Sequence, residues 1–307
     1  MNDTTHQQRF KWSHVPSLIV DTYKGWMADE PFRLSAIVAY YAVLSLPALL
    51  VIILNAVGSI WGTEVVRGEL TGEFTQALGA DTAEAIIGMI EESSNEKRNL
   101  ISTIIGVATL IYGATGVFYQ LKISLNQIWD VEPNPSAPVK KIVIDRARSL
   151  AFILVIGFLL LISFILTAAI AVLSNFISAN LPEVVFYLTY VIDSLVSIGI
   201  ISVLFALMFK YLPDANIKWK TVWKGAILTA ILFAVGKLLL SLYFSQMEPG
   251  STYGAAGSII LILLWASYSC LILFFGAEFT KVYANRYGDG IKPSEIAVKK
   301  KTGNQKA

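Results

Sequence analysis

Three ionisable side chains, Asp193, Lys237 and Glu278, lie within long apolar stretches of the 307-residue sequence. A charge at the centre of a membrane-spanning helix costs about 2.5–3.5 kcal/mol on insertion scales, so such residues usually serve a function. At about 1.5 Å per residue, Asp193 and Lys237 lie roughly 13 Å and 10 Å from the predicted outer ends of their helices. We predict that these two pair or share a water-filled cavity; alternatively, Lys237 extends outward alone. Glu278, near a predicted inner end, is expected to be a hydrogen-bonded structural acid in preference to a proton carrier.

A stripe of small and polar residues follows one face of the second apolar stretch. Lipid provides no hydrophobic drive for helix association, so small residues there favour close helix packing. The other interpretation is a face that lines a polar cavity, and Asn126 continues the polar character inward. The stripe recurs at helical spacings of four and three residues: Ser102, Gly106, Thr109, Gly113, Gly116 and Gln120.

The first apolar stretch has a polar face beside a proline. Tyr41, Ser45 and Asn55 share this face. Pro47 removes the hydrogen bond that the carbonyl of Val43 would otherwise accept. In hydrocarbon that carbonyl needs a partner or a cavity. The pattern predicts either the lining of a ligand path or a kinked and packed helix.

Membrane-spanning helices must position these residues. Hydrophobic residues make up 55% of the chain and charged residues only 15%, whereas soluble domains average about 25% charged. The apolar residues gather in blocks long enough to cross about 30 Å of hydrocarbon as helices. We therefore predict an all-α membrane protein with six transmembrane helices, at 34–61, 100–121, 149–174, 184–209, 222–244 and 255–280.

The distribution of Lys and Arg predicts the orientation of these helices. Alternate connecting segments carry 20 Lys and Arg residues on one side of the membrane and 3 on the other, with Lys237 inside a helix. Positive residues favour the cytoplasmic side. An even number of helices with both termini in the cytoplasm is the arrangement consistent with this split.

The segments outside the membrane are also patterned. Residues 1–33 form a predicted cytoplasmic tail, in which apolar residues at helical spacing over 15–26 indicate an amphipathic helix. This helix either lies on the inner membrane surface or packs on the cytoplasmic mouth of the bundle. Residues 62–99 are predicted as a helical extracytoplasmic hairpin inserted in the 34–280 membrane domain, and residues 281–307 as a basic cytoplasmic tail.

The sequence lacks the usual signatures of cofactor chemistry. One cysteine, Cys270, excludes an intrachain disulfide, and no nucleotide-binding loop or zinc motif occurs. Both histidines, His6 and His14, lie in the polar N-terminal segment, and no acid and histidine cluster could hold catalytic metals. We predict no cofactor, no metal site, no nucleic-acid partner and no enzymatic activity.

Several short motifs carry a likeness to a known family. The first two are Ala-Tyr-Tyr-Ala-Val-Leu-Ser-Leu-Pro at 39–47 and Leu-Asn-Gln-Ile-Trp at 125–129. The third is Tyr-Leu-Pro at 211–213, which is followed by Trp219 and by Gly-Ala at 225–226. The fourth is Tyr-Gly at 253–254, which is followed by Leu-Trp at 264–265 and by Gly-Ala-Glu at 276–278. Together, from about Phe32 to about Tyr283, they resemble the YihY/BrkB family of bacterial inner-membrane proteins. The resemblance implies a six-helix protein of the cell inner membrane. The family was once labelled a ribonuclease (ribonuclease BN), and members have been linked to serum resistance and to envelope lipid export.

Two functions fit these observations. The polar stripe, the kinked first helix and the buried charges favour transport or flipping of a lipid or amphipathic component of the cell envelope. The alternative is a non-transporting scaffold for envelope assembly or resistance. Expected partners are membrane lipids, a lipid or amphipathic substrate, and envelope proteins.

Overall fold

The computed structural model describes residues 10–44, 116–136, 138, 183–247 and 257–300, with single positions between 62 and 88. Within these ranges the chain is mostly helical. The helices are α1 (Val15–Ala28), α2 (described over Pro31–Leu44), α3 (described over 116–128), α4 (Glu183–Tyr211), α5 (Trp219–Met247) and α6 (Gly257–Tyr287). The third predicted membrane helix, 149–174, and most of the predicted hairpin 62–99 lie outside the described residues.

Two of these helices are long and apolar enough to cross a membrane, over Trp219–Phe244 of α5 and Ile259–Tyr287 of α6. One face of α5 keeps its apolar side chains exposed, while residues such as Val222 and Ala226 on the helix are buried. The side chains at Ile227, Ile231, Val235, Leu238 and Leu242 recur on this face and are 46–67% exposed. At about 1.5 Å per residue this exposed stripe extends roughly 22 Å, which suits a surface solvated by hydrocarbon.

The chain divides into two compact units. The first contains Met1–Asp29, Lys122–Leu232 and Leu273–Ala307, and the second contains Glu30–Leu121 and Phe233–Ile272. The first unit therefore holds α1, the end of α3, all of α4, and the parts of α5 and α6 nearest the loop at 211–219 and the C-terminus. The second holds α2, the start of the described part of α3, and the remaining parts of α5 and α6.

In the first unit, α5 and α6 pack through a reciprocal pair of glycine and threonine contacts. A methyl group on Gly276 would lie 2.8 Å from Cβ of Thr229, and one on Gly225 would lie 3.0 Å from Cβ of Thr280. Each threonine hydroxyl donates a 2.7 Å hydrogen bond to the glycine carbonyl four residues earlier in its own helix. With no side chain on the glycines, the backbones approach closely, as small residues allow in membrane helices. We call these four residues the α5–α6 lock.

Helix α1 packs one face against the C-terminal part of α6. Leu18 and Thr22 are buried, and the Trp26 ring meets the edge of Phe275 at a centroid distance of 5.8 Å. A second face, with Ile19 and Tyr23, remains about half exposed. The apolar residues of α1 therefore form two faces, one that packs against α6 and one that stays exposed.

Four short strands join the loops at one end of the first unit. Strand β1 (Val131–Pro133) pairs antiparallel with β4 (Ala297–Lys299), and β2 (Ala215–Asn216) pairs antiparallel with β3 (Lys292–Pro293). Strands β3 and β4 lie within residues 281–307, which were predicted from the sequence as a tail. Strands of two or three residues are too short to show an alternating pattern, and their partners are distant in sequence.

Candidate functional site

The candidate site lies at the C-terminal part of α6, in the first unit, around the buried carboxyl group of Glu278. The residue is 2% exposed, and its Oε2 accepts no hydrogen bond from the residues that the structure describes. A methyl group on Gly25 of α1 would lie 2.8 Å from Cδ of Glu278. The absence of a side chain at Gly25 thus gives the carboxyl group its place beneath α1.

Lys281 lies one turn further along α6 and connects Glu278 to a second acid. Its Nζ is 2.9 Å from Oδ2 of Asp130 and 3.6 Å from Oε2 of Glu278. Asp130 follows α3 and has a positive φ of 54°, a left-handed backbone conformation that aspartate tolerates better than most residues. This turn places the Asp130 side chain over α6.

Asp29, at the C-terminal cap of α1, is the third acid of this group. Its backbone carbonyl accepts a 3.2 Å hydrogen bond from Nε2 of Gln127. Burial raises the pKa of Asp29 from its ordinary value of 3.8 to about 6, nearby Lys281 opposes this shift, and the charge of Asp130 adds to it. We call Asp29, Asp130, Glu278 and Lys281 the inner acid cluster.

Side-chain exposure decreases in steps through the inner acid cluster. The Asp130 side chain is 45% exposed, that of Lys281 is 17% exposed and that of Glu278 is 3% exposed. Polar groups therefore lead from water to the buried carboxyl group of Glu278. An ion or proton that reached Glu278 could follow this succession.

A second polar network fixes the end of α3 to the loop between α4 and α5. Asn126 donates from Nδ2 to Oδ2 of Asp214 at 2.8 Å, and the backbone N–H of Asp214 donates to Oδ1 of Asn126 at 2.8 Å. Nζ of Lys122 lies 2.8 Å from the other carboxylate oxygen of Asp214. The Asn126 side chain bonds both the backbone N–H and the carboxylate of Asp214. The network therefore orients the loop, which explains why a polar residue stands at position 126.

Segments far apart in sequence meet around this end of the first unit. Trp129 donates from its indole N–H to the carbonyl of Ala277 at 3.0 Å and packs near the Phe209 ring at a centroid distance of 6.3 Å. With the Asn126 and Asp214 pair, these contacts bring the motifs at 125–129, 211–213 and 276–278 together.

The predicted stripe on α3 is described at its C-terminal end, where Gly116 meets Tyr41. A methyl group on Gly116 would lie 2.7 Å from Cε1 of Tyr41, so the tyrosine ring covers this glycine. Two residues that were selected separately from the sequence are thus in contact. At this point the stripe is packed, while Gln120 and Lys237, both in the second unit, are half-buried.

The other predicted site residues are outside what the structure shows. Asp193 lies within α4, but its side chain is outside the described residues, so its pairing with Lys237 stays a prediction. The remaining predicted residues also lie outside them: Ser45, Pro47, Asn55, Thr109 and Gly113.

Several residues of the site were not singled out by sequence. Asp29, Asp130 and Asp214 lie in loops where acids are ordinary, so their types gave no signal. The α5–α6 lock did leave a signal in the sequence, because a glycine is followed by a threonine four residues later in both 225–229 and 276–280. Within the part of the chain that the structure describes, no three His, Cys, Asp or Glu residues are placed to hold a metal ion.

Comparison with known proteins adds a family assignment. Residues 22–300 match the family described as virulence factor BrkB. A UPF0761 membrane protein of Verminephrobacter eiseniae is 22% identical over 274 residues, which cover 89% of this chain and 62% of that protein. A second UPF0761 membrane protein, from Methylibium petroleiphilum, is 25% identical over 69% of this chain and 49% of its own length.

A third relative has a similar length but a different description. The putative ribonuclease-like protein YfkH of Bacillus subtilis is 23% identical over 88% of this chain and 96% of its own length. The chain thus spans about half to two thirds of the two UPF0761 proteins above and nearly all of this one. No solved structure matches the chain.

Proposed function

The chain belongs to the virulence factor BrkB family of membrane proteins, and we propose that it moves a lipid or amphipathic envelope component across the bacterial cytoplasmic membrane. The observation that carries this proposal is Glu278, a buried carboxyl group with an oxygen that accepts no hydrogen bond from the described residues, in a helix of membrane-spanning length. A helix that only anchors a protein has no need of such a residue, since a carboxylate buried away from water is unfavourable unless it is paired and hydrogen-bonded.

The proposed topology has six membrane helices with both termini in the cytoplasm. Its support is the split of Lys and Arg between alternate segments, 20 against 3. The segments around the inner acid cluster, at 1–33, 122–148, 210–224 and 281–307, are all on the side rich in positive charge. The cluster would then open toward the cytoplasm.

In this topology the exposed face of α1 contacts lipid. Ile19 and Tyr23 are about half exposed, and an apolar face of this kind gains free energy by entering the boundary between headgroups and acyl chains. Trp219 and Trp223, at the start of α5, are also partly exposed, and tryptophan favours the same boundary.

The proposal involves neither enzymatic activity nor a nucleic-acid partner. The ribonuclease-like description belongs to the Bacillus subtilis relative. In this chain His14 has a structural contact, in which Nδ1 lies 2.9 Å from the Tyr287 hydroxyl oxygen, and His6 is the only other histidine. The expected partners are membrane lipids and the transported component itself.

Reconstitution tests the proposal directly. The full chain is placed in vesicles of phosphatidylethanolamine and phosphatidylglycerol that contain traces of headgroup-labelled fluorescent lipids. Dithionite bleaches only labels in the outer leaflet, so a protein that moves lipid increases the bleached fraction above that of protein-free vesicles. Gly199→Ala serves as a control variant that should move lipid as the wild-type protein does, because a methyl group there meets no atom within 4 Å.

The second candidate function is a scaffold that transports nothing. The contact between Tyr41 and Gly116 favours it, because it closes the described end of the polar stripe by packing. In that case no labelled phosphatidylethanolamine, phosphatidylglycerol or cardiolipin moves. Cross-linking in cells would instead recover a defined envelope protein with the wild-type chain.

A further inference from the structure

The carboxyl group of Glu278 has an unusual electrostatic position among the described residues. From α1, Asp29 faces it; from the turn after α3, Asp130 faces it; and from α6 itself, Lys281 faces it. Lys300, which follows β4, acts on Asp29. Three acids thus share Lys281, whose Nζ lies closer to Asp130 than to Glu278, at 2.9 Å against 3.6 Å.

We propose that Glu278 is a proton-binding site through which the pH on the side that the inner acid cluster faces regulates the movement of the lipid or amphipathic component, an inference that rests on the proposed function. The carboxylate takes one proton at Oε2, where the described residues donate no hydrogen bond, and becomes a neutral carboxylic acid. On release the proton returns to water and the carboxylate is restored.

Burial is the first reason for a proton as the ligand. A carboxylate away from water is unfavourable unless it is paired and hydrogen-bonded. Glu278 is 2% exposed, and Lys281, its nearest described cation, is closer to Asp130. A bound proton removes the charge without requiring the additional oxygen ligands that a metal cation takes.

The route to Glu278 is the second reason. Asp130 is nearly half exposed, and Lys281 lies between it and Glu278 with decreasing exposure. Protons can reach the carboxyl group through these polar side chains from the water on one side. Gly25 of α1 also lies against the Glu278 carboxyl group.

Because Glu278 contacts Gly25 of α1, binding of the proton changes how α1 packs on α6. Glu278 lies directly beneath α1, and Asp29 of the same helix faces it. Protonation of Glu278 removes the repulsion between the Glu278 and Asp29 carboxylates and allows α1 to pack more closely on α6. Release of the proton restores that repulsion and loosens the contact.

An infrared titration of the reconstituted full chain tests proton binding without any transport. Wild-type protein should show a carboxylic acid C=O band that loses intensity as pH rises, and this band should remain in the difference between the wild-type and Glu278→Gln spectra, because Asp29 and the other acids contribute to both. Glu132→Gln is the matched control, because Glu132 is exposed and lies two residues from Asp130. An identical titrating band in Glu278→Gln would overturn the inference.

A second variant covers the case in which Glu278→Gln fails to fold. Gly25→Ala keeps the acid but places a methyl group against its carboxyl carbon, so the band should shift in position and in titration midpoint. An unchanged band in Gly25→Ala would show that the titrating group is elsewhere, which also overturns the inference.

Vesicles prepared at a series of pH values test this regulation. The rate at which wild-type protein moves labelled lipid should change with pH, and Glu278→Gln should lose that dependence, whereas Glu132→Gln should keep it. An undiminished pH response in Glu278→Gln would refute regulation at this residue. If wild-type protein moves no lipid at all, the proposed function fails, and the infrared titration still decides whether Glu278 binds a proton.

Discussion

The α5–α6 lock allows the tightness of the helix contact to be tested by a single methyl group. In Gly276→Ala, the new Cβ would lie 2.8 Å from Cβ of Thr229 and closer still to its hydroxyl oxygen. Overpacking of this kind costs about 1–3 kcal/mol. The same change in Gly199→Ala meets no atom within 4 Å and should gain up to about 1 kcal/mol of helix propensity. Because Gly276→Ala, also within a helix, gains the same propensity, we expect the two variants to differ by the overpacking cost of roughly 1–3 kcal/mol.

The assay is reversible unfolding in detergent and lipid mixtures, followed by circular dichroism. A second change isolates the contact, because Thr229→Gly removes the three atoms nearest to the methyl group of Gly276→Ala. The double variant should be more stable than the sum of its single effects predicts, by about 1–3 kcal/mol for residues in direct contact. If Gly276→Ala is as stable as Gly199→Ala, the helices are not closely packed at this point and the explanation of the lock is wrong.

Three further predictions address the loops, pH and topology. Asp214→Ala leaves buried partners unpaired and should lower the free energy of unfolding by about 3–5 kcal/mol. Asp21 of α1 lies at the surface with its carboxylate 3.5 Å from Nη1 of Arg286, and Asp21→Ala should cost under about 1 kcal/mol in the same unfolding assay. Because burial raises the pKa of Asp29 from 3.8 to about 6, the folded state binds that proton more tightly than the unfolded chain. Wild-type stability should therefore fall as pH rises between these values, and Asp29→Asn should lack that fall in a thermal titration. In a cysteine-free background, Ala80→Cys and Lys300→Cys should react with an impermeant thiol reagent from opposite sides of the membrane; labelling from one side would refute the predicted orientation.

Hydropathy predicted the long helices well. The fifth and sixth predicted blocks, 222–244 and 255–280, correspond to α5 and α6, and the family resemblance is confirmed over residues 22–300. Helix α6 extends beyond the predicted end to Tyr287 because its last turns are held by contacts outside the apolar block. His14 bonds the Tyr287 hydroxyl, and Lys224 of α5 bonds the Tyr283 hydroxyl. Hydropathy alone does not detect such polar and aromatic packing.

The candidate site was only partly predictable. Glu278 was selected because a charge in an apolar helix is conspicuous, and its expected role as a hydrogen-bonded structural acid stays a prediction; in the structure Oε2 accepts no hydrogen bond from described residues. Its neighbours Asp29 and Asp130 are separated from it by more than 140 positions in sequence, in loops whose acids look ordinary. Only the folding of α1 and the turn after α3 onto α6 brings them together.

The α5–α6 lock also explains how a membrane helix can keep an ionisable group buried. Gly276 and Thr280 contact α5, and Glu278, midway between them in sequence, projects about 200° away around the helix and meets Gly25 of α1. Helix α6 is therefore held from two opposite sides. A helix free to turn would direct a long charged side chain toward water, as such side chains do near membrane surfaces. Close packing on α5 opposes that rotation, so the uncharged contact on one face is what keeps the charge on the other face beneath α1.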